Sequence, residues 1–173
     1  NVINVHMRDL RAYGMGKYNS LDDNPYGGGG GMVMRVEPWA QAIADVRKDV
    51  PGVHVVLLTP DCPPLTQARV QRLAEVKAIA LCCPRYEGVD ERVRAYVDSE
   101  LSIGDFVLSG GEYAALAVID AVSRLQPGFM GNSDSPIHES YAHPGRVEHA
   151  HYTRPEEFDG HRVPDTLLSG DHA

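Results

Sequence analysis

The sequence lacks any long apolar run, although 43% of its 173 residues are hydrophobic. A membrane-spanning helix needs about 18 consecutive apolar residues and no segment reaches that length, so we expect no membrane association. Charged residues make up 23% of the chain, a share typical of folded rather than disordered proteins. The length predicts a single domain over residues 1–173.

Cysteine is also scarce, and its arrangement does not suit a disulfide framework. The three cysteines, Cys62, Cys82 and Cys83, are odd in number and two of them are adjacent. Such a set is typical of free thiols in a reducing compartment. We therefore expect buried thiols and a cytoplasmic location.

Basic charge is in deficit, because 16 lysines and arginines stand against 24 aspartates and glutamates, a formal net charge of −8. Taken alone, this balance disfavours a nucleic-acid partner, since such partners are usually bound by clustered basic side chains. The charge is also uneven along the chain. Residues 1–86 hold 10 basic and 8 acidic groups, net +2, whereas residues 87–173 hold 6 and 16, net −10.

The hydrophobic pattern is that of an α/β protein. Apolar segments predict strands at residues 2–5, 53–58, 78–83 and 106–108. Helical spacing predicts helices over residues 38–50, from Thr66 onward, over 90–101 and over 112–125, the last with inward Ala115, Leu116, Ile119 and Val122. Strands that alternate with helices predict a mainly parallel sheet with helices on both faces.

In such sheets, ligands bind beyond the carboxyl ends of the strands. Three loops follow the predicted strands, at Thr59-Pro60, residues 84–88 and residues 109–111. We expect these loops to converge on one pocket. A further loop over residues 13–34 contains a run of five glycines and is long enough to have a function of its own.

Several motifs resemble known sites but fail on chemistry. The five glycines are followed by Met32-Val33-Met34, where a phosphate-binding loop needs Gly-Lys-Ser/Thr. Ser109 lacks the Gly-x-Ser-x-Gly context of a hydrolase nucleophile. His149 and His151 are two residues apart with no cysteine nearby, which matches no standard zinc spacing. The opposite charges at residues 85–87 and 90–92 suit either a surface salt-bridge cluster or a ligand clamp.

Five longer motifs together resemble one family. The first reads Leu-Asp-Asp-Asn-Pro-Tyr-Gly-Gly-Gly, the second begins Arg-Tyr-Glu-Gly, and the third contains Ser-Ile-Gly-Asp-Phe. The chain resembles the bacterial tRNA (guanine-N1)-methyltransferases, the TrmD family of the SPOUT superfamily, over its whole length. The motifs occupy residues 21–29, 85–93, 102–112, 151–156 and 168–173.

The resemblance implies a fold, a reaction and partners. It implies a SPOUT-type parallel sheet with helices on both faces and a deep trefoil knot. It also implies that S-adenosylmethionine is the methyl donor, that guanosine 37 of tRNA is methylated at N1, and that Mg2+ assists. The family is a homodimer with its active site at the interface. By the same resemblance, we expect the family's first strand and helix and its C-terminal tRNA-binding domain to be missing from this sequence.

The resemblance also assigns sixteen residues to the cofactor, in three loops that match the family's cofactor loops. They are Leu57, Leu58, Thr59 and Pro60 in the first loop, Pro84, Tyr86, Glu87 and Gly88 in the second, and Ile103, Gly104, Asp105, Phe106, Val107, Leu108, Gly110 and Gly111 in the third.

Catalytic roles carry over to Arg124, Glu139 and Glu87. Arg124 matches the family's catalytic arginine, and Glu139 aligns with its catalytic aspartate. We expect Glu139 to remove the proton of guanine N1 as a general base and Arg124 to stabilise the charge that develops on O6. Glu87 would help to organise the base or the magnesium ion.

Three departures from the family pattern leave alternatives open. Glu139 replaces an aspartate, so Asp134 or His138 could act as the base instead. Pro84 replaces a glycine and offers no N–H, and Gly30 replaces a proline. The alternatives are a SPOUT methyltransferase with another RNA target and a non-catalytic knotted domain that binds S-adenosylmethionine or RNA.

Overall fold

The computed structural model describes residues 2–131, 139–143 and 145–169. It divides the chain into two compact units, within residues 1–136 and within residues 137–173. In the described part of the chain, none of the helices combines the length and the apolar character needed to cross a membrane.

The first unit is built on a three-stranded parallel sheet. Strand β3 (His54–Leu58) lies in the centre and pairs in parallel with β4 (Ile79–Cys82) on one side and β5 (Ser99–Leu101) on the other. Five apolar or near-apolar residues in succession suit a strand that is covered on both faces. The carboxyl ends of all three strands consequently meet at one edge of the sheet.

Helices cover both faces of the sheet, as the alternating pattern predicted. Val55 and Leu57 point to one face, where they pack against Trp39 and Ile43 of α1 (Val36–Asp49). Val56 and Leu58 point to the other, against α2 (Gln67–Ala74) and α3 (Glu112–Ser123). The side-chain hydroxyl of Thr66 accepts from the Arg69 backbone N–H and caps α2, which confirms the predicted start of that helix.

Two predicted strands are wrong. Residues 2–5 form no strand, and residues 106–108 form an exposed loop. The third strand is instead β5, which lies within residues 90–101, a segment that was predicted to be helical. That segment forms a 3-10 helix, Glu91–Tyr96, followed by β5. Three residues that include a serine and a glutamate carry too little alternation to reveal a strand.

The predicted inward face of α3 is also partly wrong. Leu116 is 60% exposed, whereas Ala114, Ala115 and Val118 are buried. Because α3 is apolar on nearly every side, its periodicity does not identify the buried face.

Short pairs of strands complete the fold. Within the loop over residues 13–34, β1 (Asp22–Asp23) pairs antiparallel with β2 (Val33–Met34). In the second unit, β6 (Glu157–Phe158) and β7 (His161–Arg162) form a hairpin, and Asp165–Leu168 forms one helical turn.

The three thiols are free, as expected, and Cys82 is buried. Burial raises the pKa of Cys82 to about 12 and that of Cys83 to about 11. Both sulfurs therefore stay protonated near neutral pH and are poor nucleophiles.

Asp98 fixes the start of β5 to the rest of the first unit. Its carboxylate accepts hydrogen bonds from the Val55 backbone N–H at 2.7 Å and from the Arg47 guanidinium at 2.9 Å. The Val55 N–H, followed by Arg47, lowers the pKa of Asp98 below its ordinary value of 3.8. The charged form of Asp98 therefore stabilises the fold.

We expect Asp98→Ala to lower the free energy of unfolding by about 1.5–3 kcal/mol at neutral pH, because the Val55 N–H loses a charged acceptor. The folded pKa lies below the unfolded value, so this stabilisation is complete above pH 3.8 and lost as pH falls through the folded pKa. Urea unfolding at neutral and acidic pH measures the difference. The free energy of unfolding of Asp98→Asn should lie between those of the wild type and Asp98→Ala. An alanine variant as stable as the wild type at neutral pH would contradict the assignment.

Gly111 joins the start of α3 to the end of β4. Its N–H donates to the Pro84 carbonyl at 2.8 Å, and a Cβ at this position would lie 2.7 Å from the Cα of Cys83. The contact is with backbone, which cannot swing aside as a long side chain can. Only glycine fits this approach without moving one of the two elements.

We expect Gly111→Ala to destabilise the first unit by about 1–3 kcal/mol, the usual cost of forcing an extra carbon into a packed region. Gly131→Ala is the matched control, since a Cβ there meets nothing within 4 Å. Thermal and urea unfolding of both variants measure the effect. Equal stability of the two variants would show that the joint tolerates a side chain.

Candidate functional site

A cavity of about 480 Å3 lies at the carboxyl ends of the three parallel strands. It is lined by the first loop (residues 58–61), the second loop (residues 84–89) and the third loop (residues 101–111), with further side chains from the 3-10 helix and α3. The expected convergence of the three loops is therefore confirmed. The third loop follows β5 rather than a strand at residues 106–108.

Most residues assigned to the cofactor by resemblance line this cavity. Fourteen of the sixteen do so, whereas Leu57 is fully buried in the core and Asp105 points elsewhere. Leu57 alternates with Leu58 along β3, so only one of the two can face the cavity side of the sheet end. Sequence reasoning also missed cavity residues that lie next to the predicted loops: Asp61, Val89, Arg94, Leu101, Ser102 and Ala114.

The first loop is held to β5 by a backbone hydrogen bond and is braced internally by a side-chain hydrogen bond. The Thr59 N–H donates to the Leu101 carbonyl at 3.0 Å, and the Thr59 hydroxyl donates to the Asp61 carboxylate. The Thr59 hydroxyl, with a smaller contribution from Arg94, lowers the pKa of Asp61. Asp61 is therefore a charged acceptor at the cavity wall.

The second loop has an unusual backbone. Tyr86 adopts φ of +59°, in the left-handed region that a bulky residue rarely occupies, and its side chain is 59% exposed. Such conformations cost about 1–3 kcal/mol and cluster at binding and catalytic sites. The Gly88 N–H donates to the Arg85 carbonyl at 3.2 Å and closes the turn that contains Tyr86.

Strand β2 connects the glycine run to the second loop. The Glu87 N–H donates to the Met32 carbonyl at 3.0 Å, and the Met34 N–H donates to the Gly88 carbonyl at 2.9 Å. A Cβ on Gly31 would lie 2.6 Å from Cγ of Glu87, so the glycine makes room for that side chain. The last glycine of the run therefore contacts a side chain that lines the cavity, although none of the five glycines lines the cavity itself.

The third loop returns to the second through Pro84. Pro84 has no N–H, but its carbonyl accepts the hydrogen bond from Gly111, so the departure from the family pattern leaves this joint intact. Earlier in the loop, the hydroxyl of buried Ser102 lies 3.1 Å from the Gly104 N–H. Gly104 has no side chain, and the ring of Phe106 lies over the vacant side.

The charged segments at residues 85–87 and 90–92 take different roles. Arg85 lines the cavity and its Nε lies 2.9 Å from a carboxylate oxygen of Glu112. Asp90 and Arg92 pair with each other at 2.6 Å and do not line the cavity. Hydrogen bonds from Arg92 lower the pKa of Asp90 to about 2. The first segment is thus part of the candidate site, and the Asp90–Arg92 pair is a local surface ion pair.

The three predicted catalytic residues lie in different parts of the chain. Glu87 lines the cavity. Arg124 follows the last residue of α3 and is half-buried, with its N–H donating to the Asp120 carbonyl at 3.1 Å. Glu139 belongs to the second unit, where it is half-buried and its carbonyl accepts from Ala142. The alternative bases Asp134 and His138 lie outside the described residues.

Among the residues that the structure describes, no group of three or more histidine, cysteine, aspartate or glutamate side chains could hold a metal ion. His149 and His151 are exposed and their rings lie 4.7 Å apart. Glu87 alone does not make a magnesium site.

Comparisons with known proteins agree on one family. A family model described as tRNA (Guanine-1)-methyltransferase TrmD matches residues 1–173. The tRNA (guanine-N(1)-)-methyltransferase of Syntrophotalea carbinolica is 49% identical over 172 residues, which cover 99% of this chain and 69% of that protein. The enzyme of Myxococcus xanthus is 53% identical over 166 residues, which cover 95% of this chain and 67% of that protein. The enzyme of Sorangium cellulosum is 49% identical over an alignment of 193 residues, which covers 98% of this chain and 73% of that protein. The chain therefore belongs to the tRNA (guanine-1)-methyltransferase family, TrmD.

Proposed function

We propose that this protein transfers the methyl group of S-adenosylmethionine to N1 of guanosine 37 in tRNA. Membership of the TrmD family carries the proposal, since the match extends over residues 1–173. The cavity also supports it, because fourteen of the residues assigned to the cofactor by resemblance line one space at the carboxyl edge of the sheet.

The cavity fits the proposed cofactor in size and chemistry. Its volume of about 480 Å3 lies within the range of small-molecule sites, about 300–1,000 Å3. The loop backbone at Gly88, Gly104 and Gly110 lines the cavity without a side chain and can approach a nucleoside closely, while Leu58, Ile103 and Leu108 offer apolar contact. When bound, S-adenosylmethionine supplies a methyl group on a positively charged sulfur.

The proposed chemistry requires a base and a stabiliser of negative charge. Guanine N1 carries a proton and is a poor nucleophile until that proton is removed. The Glu139 carboxylate would accept it, and this step moves negative charge onto O6. The Arg124 guanidinium would stabilise that charge. In-line transfer then depends mainly on how the loops orient the two substrates.

Glu87 is proposed to orient the target base from the cavity wall. It is held there by the backbone hydrogen bond to Met32 and by the space that Gly31 leaves. Magnesium assistance is kept as a proposal from the family resemblance alone.

The trefoil knot and the homodimer are also proposals. Membership of the TrmD family supports the knot. Exposed apolar side chains beside the cavity and on α3 support a second copy that covers them, because such side chains are costly to leave in water. They include Phe106, Val107, Leu108, Tyr113 and Leu116. We further propose that the enzyme works in the cytoplasm.

The methyl-transfer reaction tests the proposed function directly. The intact protein should transfer label from S-adenosylmethionine to a tRNA transcript with guanosine at position 37, and mass analysis should locate the methyl group at N1. The same transcript with adenosine 37 should accept no label. Label in both transcripts would favour a SPOUT enzyme with another RNA target. Cofactor binding without label in either transcript would favour a non-catalytic domain that binds S-adenosylmethionine or RNA.

Glu139→Gln tests the assignment of the base. We expect kcat to fall by about 10²–10⁴-fold, the usual contribution of general-base catalysis, because an amide cannot accept the N1 proton. Cofactor affinity should not change. Glu157→Gln, on the exposed strand β6 of the same unit, is the matched control and should retain full activity. Unchanged kcat in Glu139→Gln would assign the base to another residue.

A further inference from the structure

Arg94 makes an unusual number of ionic contacts for a residue that no family motif singles out. From the 3-10 helix it pairs with three carboxylates, those of Asp61, Glu91 and Glu100. Its Nε lies 2.8 Å from Glu91, and its side chain is only 25% exposed. One guanidinium thus bonds to three negative groups in a partly buried place.

The three carboxylates belong to three different segments around the cavity. Asp61 lies in the first loop, Glu91 begins the 3-10 helix that follows the second loop, and Glu100 lies in β5. Asp61, Glu91 and Arg94 themselves line the cavity. Arg94 therefore connects one wall of the cavity to another across the ends of the strands.

The connection extends to the first loop through Asp61. The Asp61 carboxylate accepts from Arg94 on one side and from the Thr59 hydroxyl on the other. Thr59 is among the residues assigned to the cofactor, and its N–H is bonded to β5. A contact made by Arg94 at the rim of the cavity thus determines where Thr59 is held.

A second arginine holds the same segment further along. Arg69 of α2 donates to the Pro63 carbonyl and to the Glu100 carbonyl, so the chain after Asp61 is also tied to β5. Arg69 does not line the cavity. Loss of Arg94 should therefore release the part of the first loop that faces the cavity while Arg69 keeps the rest of the segment folded.

We propose that Arg94 is a positioning residue for cofactor binding, which acts through Asp61 to hold the first loop in its binding geometry. This inference rests on the proposed function, because it takes S-adenosylmethionine as the ligand of the cavity. The effect is on the shape of the site. Arg94 already has three carboxylate partners, so it is poorly placed to serve as the ligand's own counter-ion.

The experiment measures binding of two ligands by calorimetry. S-adenosylmethionine has a positive sulfur, and S-adenosylhomocysteine is the same molecule without the methyl group and that charge. The variants are Arg94→Met, Asp61→Ala and the double variant. The matched control is Arg92→Met, on the same 3-10 helix, whose partner is Asp90 and whose side chain is outside the cavity lining.

We expect Arg94→Met and Asp61→Ala each to weaken binding of both ligands by about five- to tenfold, the loss typical of a partly exposed charged hydrogen bond. The double variant should be no weaker than the worse single variant, because both changes break the same connection. The ratio of the two ligands' affinities should stay constant, and Arg92→Met should bind as the wild type does. At saturating cofactor, kcat should be retained in each single variant.

Three results would overturn the inference. If Asp61→Ala binds both ligands with wild-type affinity, the Arg94–Asp61 contact is only a structural ion pair. This variant leaves Arg94 paired with Glu91 and Glu100. It therefore tests the inference even if Arg94→Met fails to fold. A ratio shifted toward S-adenosylmethionine in Arg94→Met would indicate direct electrostatics. If the losses of affinity in the two single variants add up fully in the double variant, Arg94 and Asp61 act independently of each other. Failure of the wild-type protein to bind either ligand would instead refute the proposed function.

Discussion

The parallel pairing of β3 with both of its neighbours determines where everything else in the first unit can act. Because β4 and β5 both run in the direction of β3, the loops that follow the three strands all leave the sheet at the same edge. The three loops then have to share one space, and the cavity is that space. An antiparallel neighbour would have sent one loop to the opposite edge and left the site incomplete.

Close backbone contacts turn the shared edge into a defined cavity. Gly111 lets the start of α3 approach the end of β4, and Gly31 lets the glycine run approach Glu87. Each position depends on the absence of a side chain rather than on an attractive contact. Ionic contacts from Arg85 and Arg94 hold the loops as well. The geometry of the site thus depends both on missing side chains and on paired charges.

Much of this arrangement was readable from the sequence because it depends on strong local signals. The run from Val53 to Leu58 is too apolar to be anything but buried, and Thr66 is a clear helix cap. The position of β5 was not readable, since Ser99-Glu100-Leu101 becomes a strand only by pairing with β3. Likewise, the outward side of Leu116 follows from tertiary packing that a uniformly apolar helix does not encode.

The candidate site was predictable because the α/β pattern places the three loops at one edge of the sheet, and because the family resemblance supplied the individual cofactor residues. The ionic connection of Arg94 to Asp61 was not, because the two residues are 33 positions apart and each looks like an ordinary surface charge in the sequence. The net charge of −8 was likewise a poor guide to a tRNA methyltransferase family member. It is a sum over the whole chain in which pairs such as Arg47 with Asp98 and Arg92 with Asp90 cancel, so it does not show where basic side chains lie on the surface.

Cys83 lies directly beneath Gly111 at the joint between two of the cavity loops. With a pKa of about 11, on the order of one such sulfur in ten thousand is ionised at pH 7. Peroxides and alkylating agents react with the thiolate, so the joint resists oxidative damage without a dedicated reductant. Partial burial thereby keeps the Cys83 thiol unreactive at the point where the contact of its backbone with Gly111 tolerates the least change.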